Sequence, residues 1–226
     1  NFMKIAPIIH EINNVNRVKH IFNYRLVHTG QHYDKNMSKS FFDELEIPAP
    51  DINLDCSGGT QTQMTANIMV SFEKELLNNS TDLVVVVGDV TSTMACAIVA
   101  QKLQIQVAHV EGGIRSWDWN MPEEINRLLT DSITNYFYTT SETANQNLLR
   151  IGVNQQSIIF VGNTMIDSLL QNINKIRQPN IFRKLNINTK EYFVVTLHRP
   201  SNVDNNKTLY DLLNSILEGT KNFDVI

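Results

Sequence analysis

Leu83-Val84-Val85-Val86-Val87-Gly88-Asp89 is the stretch on which the fold turns. Five apolar, mostly β-branched residues in succession offer no polar face, the pattern of a strand covered on both sides within a parallel sheet. Such a strand is predicted to sit mid-sheet, with Gly88 and Asp89 leaving its carboxyl end.

Outward from it the same rhythm repeats. Strands are predicted at Tyr24 to Thr29, Gln106 to Glu111, Tyr136 to Thr139, Ile158 to Val161 and Tyr192 to Leu197. Helical spacing marks Thr60 to Asn78, Ser92 to Leu103, Glu123 to Ser132, Ser141 to Ile151 and Thr164 to Ile176. Strands alternating with amphipathic helices define an α/β fold, a doubly wound parallel sheet of the Rossmann-like kind. Residues 1–176 read as the N-terminal Rossmann-like domain, the polar stretch 177–191 as a linker, and 192–226 as the start of a second domain. Phe2 to Ile12 is helix-like with no strand before it, and Phe223-Asp-Val-Ile resembles a strand just beginning. The expectation is therefore a chain truncated at both ends, its first strand missing and its second domain mostly absent.

Composition removes several function classes. Nineteen Lys and Arg face twenty-three Asp and Glu, a formal charge of −4, and no basic block is interleaved with aromatics as a nucleic-acid surface requires. No apolar run approaches the roughly 20 residues needed to span a bilayer, and no signal-peptide pattern opens the chain, so neither nucleic acid nor membrane is an expected partner and the location expected is cytoplasmic. Cys56 and Cys96 lack ligand-spaced neighbours, which leaves no disulfide framework and no metal site to expect. Dinucleotide, P-loop, zincin and α/β-hydrolase motifs are absent as well.

In open parallel sheets ligands bind beyond the carboxyl ends of the strands, so polar residues placed directly after apolar runs are the candidates. His28-Thr-Gly-Gln-His32, Gly88-Asp89, His109-Val-Glu111-Gly-Gly, Gly162-Asn-Thr164 and His198-Arg199-Pro200 all occupy such places. Asp89 precedes Thr91-Ser92-Thr93 and reads equally as part of a helix cap or as a site residue. Glu111 stands before two glycines that let backbone approach a ligand, which favours function. Glu123 lies in the first turn of a helix opened by Pro122, where dipole and capping effects explain an acid without catalysis. It is also i,i+4 to Arg127, and an ion pair between them would fix its carboxylate. His198 and Arg199 offer donors to a phosphate or serve structure alone.

Seven segments in order resemble the non-hydrolysing UDP-N-acetylglucosamine 2-epimerases: Met3-Lys-Ile-Ala-Pro7, Thr29-Gly-Gln-His32, Gly88-Asp89, His109-Val-Glu-Gly-Gly-Ile-Arg115, Met121-Pro-Glu-Glu-Ile-Asn-Arg127, Gly162-Asn-Thr-Met-Ile-Asp167 and Thr196-Leu-His-Arg-Pro200. The resemblance implies a GT-B-like two-domain architecture. It further implies an enzyme that inverts C2 of UDP-N-acetylglucosamine to give UDP-N-acetylmannosamine, by elimination and re-addition of UDP, for bacterial surface polysaccharide precursors. By motif position it makes Asp89, Glu111 and Glu123 the acid/base and electrostatic carboxylates. His198 assists at the departing UDP, and Lys4 and Arg127 bind or support substrate. A homodimer without cofactor or metal is implied too. The chain departs from the family after Gln31-His32, at Tyr33-Asp34-Lys35-Asn36, and after His198-Arg199. Gly113 stands where Ala is common, an exchange expected to be neutral. A hydrolysing epimerase releasing ManNAc and UDP, a 2-epimerase of another UDP-2-acetamido sugar and a GT-B glycosyltransferase remain open alternatives.

Overall fold

The computed structural model describes residues 1–30, 41–187 and 192–226. The chain divides into two compact units, Asn1–Ile173 and Asn174–Ile226, parted within the 3₁₀ turn Ile173–Lys175.

The first unit is built on a four-stranded sheet in the order β3-β4-β5-β6, with β3 Leu83–Val87, β4 Gln106–Val110, β5 Tyr136–Thr139 and β6 Ile158–Phe160. Every pairing is parallel; Leu83 to Val87 match Gln106 to Val110 in register, and Ala108 to Val110 match Tyr136 to Tyr138. Parallel neighbours require crossovers, and helices supply them. α2 Gln61–Asn78 precedes β3, the crossovers are α3 Thr91–Lys102, α4 Pro122–Ser132 and α5 Glu142–Arg150, and α6 Thr164–Asn172 follows β6. α1, Phe2–Val18, precedes a separate two-stranded parallel sheet of β1 Val27–His28 and β2 Ile52–Asn53. The parallel α/β class read from the sequence is thus the observed one. β2 escaped sequence reading because two residues carry no period.

Helix ends follow capping chemistry. Thr60 accepts from the Gln63 N–H while the Gln63 side chain accepts from the Thr60 N–H, a reciprocal box that starts α2. Ser141 caps α5 through the Ala144 N–H, and Asn163 caps α6 through that of Met165.

One prediction about β3 fails. β3 is an edge strand among the described residues, and its burial alternates, Val84 and Val86 inside against Leu83 and Val85 at 39% and 45% exposure. The apolar cluster explains this: Val84 and Val86 join Val107 of β4, Ile68 and Phe72 of α2 and Ala97 of α3, so the helices seal that one face. Leu83 and Val85 look the other way.

In the second unit, β7 Tyr192–Phe193 pairs in parallel with β8 Asp224–Val225, and α8 Asn206–Gly219 leads back to β8. The stretch 177–191 read as a linker contains the short helix α7 Asn180–Lys184, whose Phe182 packs edge-on against Tyr192. No described helix is long and apolar enough to cross a membrane.

Candidate active site

The carboxyl ends of β3 and β4 lie side by side, since Val87 and Val110 are register partners. The turns leaving them carry Asp89 and Glu111. Gly88 adopts φ +72, and its N–H donates to the Val110 carbonyl at 2.9 Å. A side chain there would meet the Asn1 Oδ1 at 2.8 Å and the Lys4 Nζ at 3.1 Å, so the missing Cβ is what lets α1 reach this rim.

Lys4, on the first turn of α1, forms an ion pair with Glu111. Glu111 is buried and holds φ +72, a conformation that costs a non-glycine residue energy and that concentrates at functional sites. Its N–H is anchored on the Tyr138 carbonyl at 2.9 Å, so the strained turn is pinned from β5.

Asp89 is not a helix cap. The N-cap of α3 is Val90, without a side-chain cap bond, and the Asp89 carboxylate instead receives Arg127 through Nη2 at 2.6 Å and Nε at 3.1 Å. The Asn126 side-chain amide, one residue earlier on α4, donates to the Asp89 carbonyl at 2.9 Å. Adjacent residues of α4 therefore hold both the backbone and the side chain of this acid.

The expected Glu123–Arg127 pair does not form. Arg127 bonds Glu124, three residues back, at 2.8 Å. The half-buried Glu123 carboxylate makes no hydrogen bond or ion pair among the described residues. Both i,i+3 and i,i+4 positions are within reach on a helix, and the choice follows from what surrounds Glu124. That residue is completely buried and accepts from the Ser116 N–H at 2.8 Å, the Ser116 hydroxyl at 3.0 Å and the Trp117 N–H at 3.2 Å. Burial pushes its carboxyl up, but the Ser116 N–H, Arg127 and the remaining donors outweigh this and hold it below the ordinary carboxylate range. Burial likewise opposes the Arg127 charge, and its bonds to Glu124 and Asp89 raise it above the usual guanidinium range.

Beneath these turns lies a second layer that the sequence did not disclose. His109 is fully buried on β4, its Nε2 2.8 Å from the Gly88 carbonyl and its Nδ1 2.7 Å from Asp131 of α4. Asp131 also receives the Gly113 N–H at 3.0 Å and Arg115 at 2.6 Å. Asp131 follows Arg127 by one helical turn, a signal shared with any satisfied core acid. Gly113 is tightly fixed, because at φ +82 an added Cβ would stand 2.4 Å from the Ala144 carbonyl oxygen. The expectation that Ala is neutral there is corrected: neither the backbone angle nor the space permits it.

Of the predicted site residues, Lys4, Asp89, Glu111 and Arg127 are thus brought together, and Glu123 stands on the same helix turn as the Arg127–Glu124 pair. His198 belongs to the second unit, where it is exposed in the segment after β7. Gly162 adopts φ +82 directly before Asn163 and α6. Gln31, His32 and Tyr33 to Asn36 lie outside the described residues.

A parallel α/β unit that collects cation-paired carboxylates at the carboxyl rim of adjacent strands is of the Rossmann-like class, whose ligands bind at that rim. Comparison with known proteins narrows the class. The family model of UDP-N-acetylglucosamine 2-epimerase matches residues 14–226, and the chain belongs to that family. It is 43% identical to a UDP-N-acetylglucosamine 2-epimerase of Methanocaldococcus jannaschii over 98% of this chain and 60% of that protein. A UDP-2,3-diacetamido-2,3-dideoxy-D-glucuronate 2-epimerase of Pseudomonas aeruginosa is 38% identical over 85% of this chain and 54% of its own length. The crystal structure of the M. jannaschii enzyme in complex with UDP-GlcNAc and UDP superposes with a TM-score of 0.84 at 42% identity, covering 96% of this chain and 59% of that one. The chain spans about 60% of the length of such relatives.

Proposed function

We propose that this chain supplies the acidic wall of a UDP-sugar 2-epimerase site, inverting C2 of UDP-N-acetylglucosamine by elimination and return of UDP. The observation that carries the reading is the pairing of both strand-end carboxylates with separate cations, Glu111 with Lys4 and Asp89 with Arg127. A proton at C2 of a sugar is weakly acidic, so its removal needs carboxylates fixed in orientation, and the departing diphosphate needs positive donors. The ion pairs support the first requirement at Asp89 and Glu111. Among the described residues Glu123 has no cation of its own, which suits it to exchange a proton with substrate or solvent. His198 is assigned to the leaving UDP by family position, as Lys4 and Arg127 are assigned to supporting the substrate.

UDP-GlcNAc bound to the M. jannaschii neighbour favours the N-acetylglucosamine sugar. The P. aeruginosa relative favours a second reading, the same C2 chemistry on a diacetamido uronate. The expected homodimer rests on the resemblance; it and the expected cytoplasmic location belong to the same proposal. The test is incubation of the intact protein with each nucleotide sugar in D2O, followed by proton NMR. Deuterium at C2 with UDP-N-acetylmannosamine formed supports the first reading, and exchange confined to the diacetamido uronate supports the second. Free ManNAc identifies a hydrolysing enzyme, and no exchange with either sugar refutes the proposal. Sedimentation velocity of the same protein decides the dimer.

A further inference from the structure

We propose that His109 acts as a positioning residue, bracing the Gly88–Asp89 turn against the Glu111–Gly113 turn. The inference rests on the catalytic assignment of Asp89 and Glu111 above.

Both ring nitrogens of His109 face acceptors. The Gly88 carbonyl, 2.8 Å from Nε2, can only accept, so Nε2 carries a proton. Asp131 faces Nδ1 at 2.7 Å through Oδ1. Its Oδ2 already receives two donors, the Gly113 N–H at 3.0 Å and Arg115 at 2.6 Å, the bonding pattern of an ionised carboxylate. The charged groups around the ring are Asp131 from α4 and Arg115 from the segment after β4, and the side chains of all three are fully buried. Hydrogen bonds in such a dry site are stronger than in water, so the ring is held firmly on both sides. Room for the contact is provided by Gly112: a Cβ there would lie 3.0 Å from Phe137, 3.4 Å from Asp131 Oδ1 and 3.5 Å from His109 Nδ1.

The consequence is mechanical. His109 grips the backbone one residue before Asp89. Through Asp131 it also grips the Gly113 N–H, two residues after Glu111. The two carboxylate-bearing turns are thereby joined through a single buried ring, and side chains locked in this way keep reacting groups within the fraction of an ångström that catalysis demands.

The test is a double-mutant cycle of His109→Gln and Asp89→Asn in the intact protein, read by C2 deuterium exchange of UDP-GlcNAc. H109Q should lower kcat by about 100-fold with KM little changed, the scale of a misplaced catalytic group. In the D89N background the same substitution should lower it by less than about 3-fold, because two residues acting through one element do not add. Losses that multiply, or a change confined to KM, overturn the positioning role. If D89N alone leaves exchange intact, the catalytic assignment of the site fails and the positioning role falls with it, whereas losses that multiply overturn the positioning role alone. Should H109Q fail to fold, Asp131→Asn replaces it in the cycle under the same criteria.

Discussion

Glu124→Gln is the substitution most directly weighed by this structure. The carboxylate is fully buried, and its four bonds divide unequally. Oε2 takes the Ser116 N–H, the Ser116 hydroxyl and Arg127, and Oε1 takes the Trp117 N–H. A glutamine whose oxygen replaces Oε2 keeps the three contacts in weaker, neutral form. Its amide then points two hydrogens at the Trp117 N–H, a donor facing a donor. Charge-assisted bonds to buried groups contribute about 1.5–3 kcal/mol each, and an unsatisfied buried donor costs about 1–3 kcal/mol. Arg127 retains Asp89, which limits the damage. Together these give an expected loss of roughly 2–4 kcal/mol, measured by urea denaturation followed by circular dichroism. Acid provides the sign. The folded Glu124 carboxyl lies below its ordinary value, so its contribution is complete above the unfolded carboxylate range near pH 4.3 and is lost as pH falls through the lower folded value. The gap between wild type and E124Q should therefore be widest near neutrality and close on acidification. A difference below about 0.5 kcal/mol at neutral pH, the size of an ordinary surface change, would refute the reasoning, as would a gap that widens in acid.

Three other outcomes follow from the same geometry. Gly113→Ala should destabilise by about 3 kcal/mol or more, since it combines overpacking against the Ala144 carbonyl with a left-handed backbone, and thermal unfolding measures it. Lys4→Met leaves Glu111 buried without its cation; C2 exchange should fall by at least about 10²-fold while α1, whose packing uses Ala6 and Ile9, keeps its helicity by circular dichroism. Burial pushes the Cys96 thiol up to about 12, so it should resist iodoacetamide at pH 8 in the folded protein and react on unfolding, as mass spectrometry would show.

Much of the fold was legible because its signals are local. Tyr136–Thr139 was bounded correctly by its β-branched and aromatic residues, and α2 by the helical spacing of Met64, Ile68, Phe72 and Leu76. What was not legible depends on neighbours. Val84 and Val85 are the same residue type, yet one is 8% exposed and the other 45%, because helices cover one face of β3 and none of the described elements pairs with its outer edge. Composition carries no record of that asymmetry. Asp89 was ambiguous for a related reason: Thr91 to Thr93 advertise a cap, whereas the decisive partner, Arg127, is 38 residues away.

The same distinction explains the misreading of Pro122-Glu123-Glu124. Helical spacing permits Arg127 to reach either acid, and an i,i+4 pair on a solvated helix contributes only about 0.2–0.5 kcal/mol. So weak a preference is decided by tertiary demand. Two backbone N–H groups and a hydroxyl in the turn at Ser116 and Trp117, where Trp117 itself takes φ +59, need an acceptor, and Glu124 is the residue that α4 directs there. Once Glu124 is buried among them it draws Arg127 to itself, and the rest of the guanidinium reaches across to Asp89. Glu123 is then left without a cation on the same helix turn. The unpaired acid in this site is thus a product of the neighbouring loop's hydrogen-bond demand: weakening the acceptor that meets it, as E124Q does, loosens the hold on Arg127 and through it on Asp89, and C2 exchange should fall along with stability.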